Sequence, residues 1–304
     1  MPATYLALFS SATNHPRRQR LLSVGDKTSG RCFEAPASKL AGINDLYTIR
    51  DTDVDHQLID KSLSSYEFGF HTAVEQLKSG EINALAWASI LVPFVAALMV
   101  RGPDFNDRFE ARIARIDIST HPDNTNFARL MEFQRLLAPV AAAKWILLKT
   151  QGDEPLITND LGYTPFANYQ TGDYGIAVPL GLDCALMVCP QTRRTLAFSK
   201  CGDWFPYINY GISPPEDQYG FNNTLSAIAQ RFIFGSNTGT ISRYVGEFKP
   251  SIGVPEPGQL GFIDGYLAMV HDLTWHRLIT ALSTPPKTDN IVIYADFLAN
   301  SQLP

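Results

Sequence analysis

Glu67 and His71 stand four residues apart in a stretch that reads as one helix, so they share a face, and Glu75 continues it. A carboxylate beside an imidazole can exchange protons as a general acid/base pair or hold one side of a metal. The plainer reading is a solvated helix face with ordinary side-chain pairing. Arg101 closes a long apolar run at Val100-Arg101-Gly102-Pro103. A guanidinium there can bind the last carbonyls of its helix, anchor a carboxylate of a neighbouring helix, or receive an anionic substrate. Pro155 to Pro165 runs from an apolar strand into Thr158-Asn159-Asp160 and then a turn at Gly162. Loops at strand ends often carry functional side chains, and Asp160 could enter a cleft there. The competing reading is an Asx-turn made by Asn159 or Asp160. Asn222 and Asn223 precede a helical stretch and read as its cap, with Asn222 a candidate ligand contact.

The common catalytic signatures are missing. The sequence holds no G-x-x-x-x-G-K-[ST], no G-x-G-x-x-G after a strand, no H-E-x-x-H and no G-x-S-x-G. The acidic run Asp51 to Asp55 fails as a calcium loop, because the sixth and twelfth positions hold His56 and Ser62. Asp55 reads instead as a helix cap. Cys32, Cys184, Cys189 and Cys201 form no C-x-x-C pair and read as small buried hydrophobes. His271 and His276 are five apart and share no helix face. Arg17, Arg18 and Arg20 form a small basic cluster without interleaved aromatics, which reads as a solvated patch.

These residues need elements to position them. The chain has 304 residues, 45% hydrophobic, with a formal net charge of -5. That excludes a disordered tail, a collagen-like repeat and a nucleic-acid binder driven by bulk positive charge. Arg20 to Pro36 reads as a β-hairpin around the turn Gly25 to Gly30. A helix is expected from His56 to Lys78, ended by Ser79-Gly80. Ala84 to Val100 carries no charge and is interrupted by Pro93. It reads as a buried central helix, with a membrane span as the alternative. Asn106 to Ile118 and Asn124 to Ala143 are further helices, the latter kinked or ended by Pro139.

From Lys144 the texture becomes short apolar runs between turns: 144–150, 155–160, 175–180, 184–189 and 194–199. Pro179 suggests an edge strand or a bulge. Phe205 to Tyr219 reads as loop, Asn222 to Gln230 as helix, Lys249 to Gly261 as loop, Phe262 to Leu282 as mixed, and Asn290 to Phe297 as a last strand. The expected class is α+β in a single domain, with a helical half at about 55–143 and a mostly antiparallel β half at about 144–304. The N-terminus lacks the basic region of a signal peptide, so a cytoplasmic location is expected and membrane association is not.

The order of features resembles a mostly bacterial family of unknown function, domain-of-unknown-function family four-two-three-eight. The resemblance rests on Tyr5-Leu6-Ala7-Leu8-Phe9, the hairpin, Asn44-Asp45-Leu46-Tyr47 and Ser65-Tyr66-Glu67. It continues through Arg101 and Pro103, Trp145, Ile157-Thr158-Asn159-Asp160, Pro179-Leu180 and the run from Asn222 to Ser236, so it covers roughly Met1 to Gly239. The chain departs from the family's usual serine-aspartate-asparagine-proline at Asn159 and at Leu161-Gly162. The resemblance implies no established reaction. It does single out Glu67, Arg101 and Asp160 together, because these match the family's polar landmarks.

Two functions follow as expectations. One is a hydrolase or nuclease-like enzyme acting on an anionic substrate. There Glu67 and Asp160 hold a divalent metal or act as base, Arg101 holds the anion, and His71, Asn159 and Asn222 contact the ligand. It requires the three charged side chains to converge in a pocket between the halves. The other is a non-catalytic sensor or protein-interaction domain, with the same residues in a buried salt-bridge and hydrogen-bond network.

Overall fold

The structure, a computed structural model, describes residues 1–12, 14–40, 47–50, 53, 55–102, 104–113, 123–168, 173–190 and 208–246. The strands expected at 194–199 and 290–297, the stretches 249–261 and 262–282, and Cys201, His271 and His276 lie outside the described residues.

The chain opens with α1 (Ala3–Leu6) and a 3-10 turn (Ala7–Phe9). A second 3-10 turn (Arg17–Gln19) leads into β1 (Leu21–Asp26) and β2 (Arg31–Pro36), the expected hairpin. Asp26 builds its turn by accepting the Thr28 N–H at 2.9 Å. Gly30 closes it at φ 68°, in the left-handed region that glycine enters without the strain another residue would carry. α2 (Ala37–Leu40) follows.

The single helix expected over 56–78 is two helices. α3 (Leu58–Ser64) runs into a 3-10 turn (Ser65–Glu67), and α4 (Phe70–Ser79) starts afresh. Gly69 makes the break at φ 80°, which a right-handed helix does not allow. Glu67 and His71 therefore do not share a helix face. Gly80, also left-handed, ends α4 where the sequence places its stop.

The apolar helix is continuous from Ala84 to Arg101. It comprises α5 (Ala84–Ala86), a π turn (Trp87–Leu91) and α6 (Val92–Arg101). Asn83 caps it by accepting the Ala86 N–H at 2.8 Å. The π turn ends two residues before Pro93. Proline has no N–H for the Ser89 carbonyl, and its ring would press on that oxygen in a regular helix. The wider turn relieves both conflicts and lets the helix pass Pro93. By length and composition this helix could cross a membrane, yet 72% of it is buried within the protein. Phe94 stacks on Phe70 with ring centroids 3.7 Å apart, and Trp87 meets Trp145 edge-on at 5.7 Å. α7 (Asp104–Ile113) and α8 (Asn124–Ala142) complete the helical half, with α8 continuing through Pro139.

Then come β3 (Lys144–Thr150), β4 (Thr158–Asn159), β5 (Thr164–Asn168), β6 (Asp173–Pro179) and β7 (Cys184–Cys189). The described residues end with β8 (Ile208–Ser213), α9 (Pro215–Ile228), β9 (Phe232–Gly235) and α10 (Thr238–Val245). One sheet has the order β5-β6-β7-β3-β8, antiparallel except for the parallel β3–β8 pair. The other has the order β2-β1-β9-β4 and is antiparallel throughout. The class is α+β, as expected, with two revisions. The N-terminal hairpin is completed by β9, far along the chain. The stretch read as loop at 205–219 holds β8 and the first turns of α9, whose Pro215 presets the helical φ at its first position.

Smaller corrections have local causes. Pro179 is not on an edge, since β6 pairs on both sides; it is the last residue of its strand, past the point where β5 ends opposite Ala177. The run 155–160 pairs only at Thr158 and Asn159. Cys184 and Cys189 are buried, as expected, while Cys32 is only partly so. Burial pushes the Cys184 thiol up to about 12, so it behaves as the small hydrophobe expected.

Tyr5 ties the layers together. Its ring is fully buried against Phe9 and Phe94, with centroids at 5.5 and 5.6 Å. Its hydroxyl lies 3.0 Å from Thr158 Oγ1 and is placed to donate to Gly162 O at 3.0 Å or Pro179 O at 2.9 Å. One side chain from α1 thus reaches both sheets, and its burial raises the phenol pKa above the ordinary value.

Candidate functional site

Glu67 is the last residue of its 3-10 turn, and Gly69 then redirects the chain. Its Oε1 lies 3.0 Å from Arg101 Nη2, with side-chain exposures of 19% and 7% for Glu67 and Arg101. Of the three roles open to Arg101, anchoring a neighbouring carboxylate is the one it fills. The carbonyls at the end of α6 are served by another residue. Arg129 of α8 is fully buried and donates through Nη1 to Val100 O and, at 3.2 Å, to Gly102 O. Its guanidinium lies 4.6 Å from the Phe105 ring centroid and 5.4 Å from that of Tyr47. Tyr47 in turn donates its hydroxyl to Arg101 O at 2.9 Å. Burial, its largest cause, raises the Tyr47 pKa, and the charges of Arg101 and Arg129 oppose that.

Asp160 follows β4, but its carboxylate turns onto backbone. Its oxygens accept N–H bonds from Gln230 at 2.9 Å, Arg231 at 2.7 Å and Phe232 at 3.0 Å. Its own N–H donates to Phe232 O at 3.0 Å. The residue fastens the end of β4 to the start of β9. Burial raises its pKa, while the three peptide donors act in the opposite sense.

Asn159 and Asn222 are fully buried and hydrogen-bonded within the chain. Asn159 Nδ2 donates to Tyr163 O at 3.2 Å and Leu225 O at 2.9 Å. Its Oδ1 accepts the Leu161 and Gly162 N–H groups at 3.1 and 2.8 Å, which is the Asx-turn alternative. Asn222 is no helix cap, because α9 begins seven residues earlier in the chain, at Pro215. Its Oδ1 accepts the Ile157 N–H at 3.0 Å and its Nδ2 donates to Pro155 O at 3.1 Å, so it stands in for a neighbouring strand.

The Asp160 turn sits on the end of α6. A Cβ at Gly102 would come within 3.0 Å of Leu161 Cδ2, and one at Gly162 within 3.0 Å of Leu98 Cδ2. Met1 is partly buried beside this seam. Burial and then the Arg101 charge lower its amino pKa to about 6, while the charges of Glu67, Asp160 and Asp60 act against that. The three sequence-selected charges therefore share a neighbourhood, each with its own bonds. His71 lies elsewhere, on α4, within the field of Arg17 and Arg20. Among the described residues, no three His, Cys, Asp or Glu side chains are placed to hold a metal ion. Glu67 and Asp160, the carboxylates expected to share a divalent metal, are bonded to a guanidinium and to peptide donors.

Sequence reasoning missed Tyr5 and Arg129. The signal for Arg129 was present. Asn126, Phe133, Leu136, Leu137 and Val140 form the buried stripe of α8, and Arg129 falls on it at helical spacing. A charge in such a stripe needs partners, and the buried terminal carbonyls of α6 supply them.

A family model described as protein of unknown function (DUF4238) matches residues 1–239. That range contains Tyr5, Glu67, Arg101, Arg129, Asp160 and Asn222. No curated protein and no solved structure matches the chain.

Proposed function

The chain belongs to the DUF4238 family of proteins of unknown function, and we propose that it is a non-catalytic sensor or protein-interaction domain whose Glu67, Arg101 and Asp160 form its internal framework. The observation that carries this reading is how the charges are used. Asp160 accepts three peptide N–H bonds, and Glu67 is matched to Arg101 across the seam between α6 and the turn before α4. A metal-dependent hydrolase would need those carboxylate oxygens for a metal or a proton. Withdrawing them here would strand a buried guanidinium and take the acceptor from three backbone donors. The reading is of a soluble cytoplasmic protein, and the burial of the Ala84–Arg101 helix supports it.

The test is thermal denaturation of the purified chain with divalent metals, nucleotides and short nucleic acids, repeated for Asp160→Ala. The framework reading expects a lowered midpoint in the variant and the same ligand responses as wild type. A ligand-dependent rise that vanishes in Asp160→Ala would place a binding site at that carboxylate and overturn the reading.

A further inference from the structure

Among the described residues four strands lie on sheet edges: β2 and β4 in one sheet, β5 and β8 in the other. An edge strand presents a row of unpaired N–H and C=O groups that invites another strand, and proteins blunt it with charges, prolines or shortness. β4 is two residues long. β2 carries Arg31, Glu34 and Pro36, and β5 carries Pro165. β8 reads Ile208-Asn209-Tyr210-Gly211-Ile212-Ser213 and has none of these guards. It also exposes apolar side chains. Tyr210 is 49% exposed and Ile212 62%, and residues two apart on a strand share a face. That face continues the core, because Ile208 lies beside Trp145 and Tyr210 beside Leu147, both fully buried on β3. Among the described residues the sheet thus ends before its own core face is covered.

The last described element ends beside this edge. Arg243 and Tyr244, in the last turn of α10, bond Glu154 Oε1 at 2.9 and 2.7 Å, and the Tyr244 ring lies 5.9 Å from that of Tyr219. Glu154 comes just past β3, whose Thr150 pairs with Ser213 at the end of β8. Tyr219 belongs to α9, which follows β8 directly. From α10 the chain runs on to Pro304, and it contains Asn290 to Phe297 (NIVIYADF), which reads as a strand. Its centre, Ile291-Val292-Ile293-Tyr294, is rich in strand-forming residues and apolar at every position, the pattern of a strand covered on both faces. Residues 247–289 link this run to α10, ample length to reach either end of a strand about 20 Å long.

We propose that the free edge of β8 is a docking surface for the chain's own residues 290–297, which add to it as a sixth strand. Their peptide groups pair with the outward N–H and C=O groups of β8, and their alternate side chains cover Tyr210 and Ile212. The run lies beyond the residues 1–239 that match the family model, so this closure is what the present chain adds to the part it shares with its family. It uses no atom of Glu67, Arg101 or Asp160 and stands or falls separately from the framework reading.

The experiment is NMR on the full chain, reading backbone NOEs and amide exchange. The expected result is NOEs between 208–213 and 290–297, with slow exchange at the β8 amides that face away from β3. Ile293→Pro removes a ladder donor and interrupts the added strand. Those β8 amides should then exchange about tenfold faster or more, while the β3 amides keep their protection and show that the variant is folded. The wild-type NOEs decide the matter even if the variant does not fold. No NOE between β8 and 290–297, or NOEs from the free edge of β8 to 194–199 instead, overturns the proposal. A mixture of labelled and unlabelled chains separates the remaining occupant: NOEs between β8 and 290–297 that arise only between molecules make the edge an interface between two copies and overturn it as well. Asp160→Ala should leave the β8 NOEs in place, which separates this outcome from any failure of the framework reading.

Discussion

Replacing Glu67 with Gln removes one charge and leaves the Arg101 guanidinium, 7% exposed, without its counter-ion. Breaking a buried pair from one side costs about 3–5 kcal/mol. Glu67 is 19% exposed, so water screens one side of the pair, and the expected loss is about 2–3 kcal/mol. In a chain of this length each kcal/mol moves the thermal midpoint by about 2 °C, so the variant should melt about 4–6 °C lower. Arg101→Met alone strands Glu67, which is nearer to water and should cost less. The double variant Glu67→Gln with Arg101→Met removes both charges, and its loss should fall short of the sum by about 1–2 kcal/mol. The assay is a double-mutant cycle read by circular dichroism on thermal denaturation. A Glu67→Gln midpoint within about 1 °C of wild type, or strictly additive losses, would refute the pairing.

Asp160→Ala withdraws the acceptor from three peptide N–H groups, of which those of Gln230 and Arg231 belong to exposed residues and can turn to water. The loss should be about 2–3 kcal/mol in urea denaturation, and Asp160→Asn, which keeps one acceptor oxygen, should recover about half of it. Gly69→Ala forces a Cβ into a left-handed conformation 3.1 Å from Ile90 Cδ1, and should cost about 1–2 kcal/mol by the same assay. His71 makes a pH prediction of definite sign. Burial, and then the Arg17 charge, hold its folded pKa below the unfolded value of about 6.5. The unfolded chain therefore binds the proton first. The His71 contribution is fully present above that unfolded pKa and is lost as pH falls through it toward the folded value. His71→Gln should flatten the melting-point profile in that window, and an unchanged profile would contradict the assignment.

The parts of the fold that periodicity controls were legible in the sequence: the hairpin turn at Gly25 to Gly30, the apolar helix, α8, and the runs that became β3, β6 and β7. The misreadings came from positions where one residue's local chemistry outweighs the pattern around it. Gly69 splits an amphipathic run whose spacing fits one helix. Pro93 is absorbed by a π turn, a backbone adjustment that leaves no mark in hydropathy. Long-range pairing was the other blind spot. Nothing near Val24 indicates that β9 will lie beside it, and Tyr210 and Ile212 alternate as a strand within a Pro- and Gly-rich stretch that reads as loop. At the candidate site the charged residues were found, and a neighbouring carboxylate was among the roles read for Arg101, but the partners of Asp160 were not. Asp160 finds its partners in backbone N–H groups about seventy residues away in the chain, and backbone donors carry no residue-type signature.

Hydrogen exchange at the amides of Gln230, Arg231 and Phe232, measured by NMR in wild type and in Asp160→Asn, tests the central claim most directly. If the Asp160 carboxylate holds the start of β9, all three amides are protected in the wild type despite the exposure of Gln230 and Arg231. They should then exchange about tenfold faster or more in the variant, while the amides of β3 and β7 are unchanged. Unprotected amides in the wild type, or protection that survives Asp160→Asn, would mean that the carboxylate is free for other chemistry.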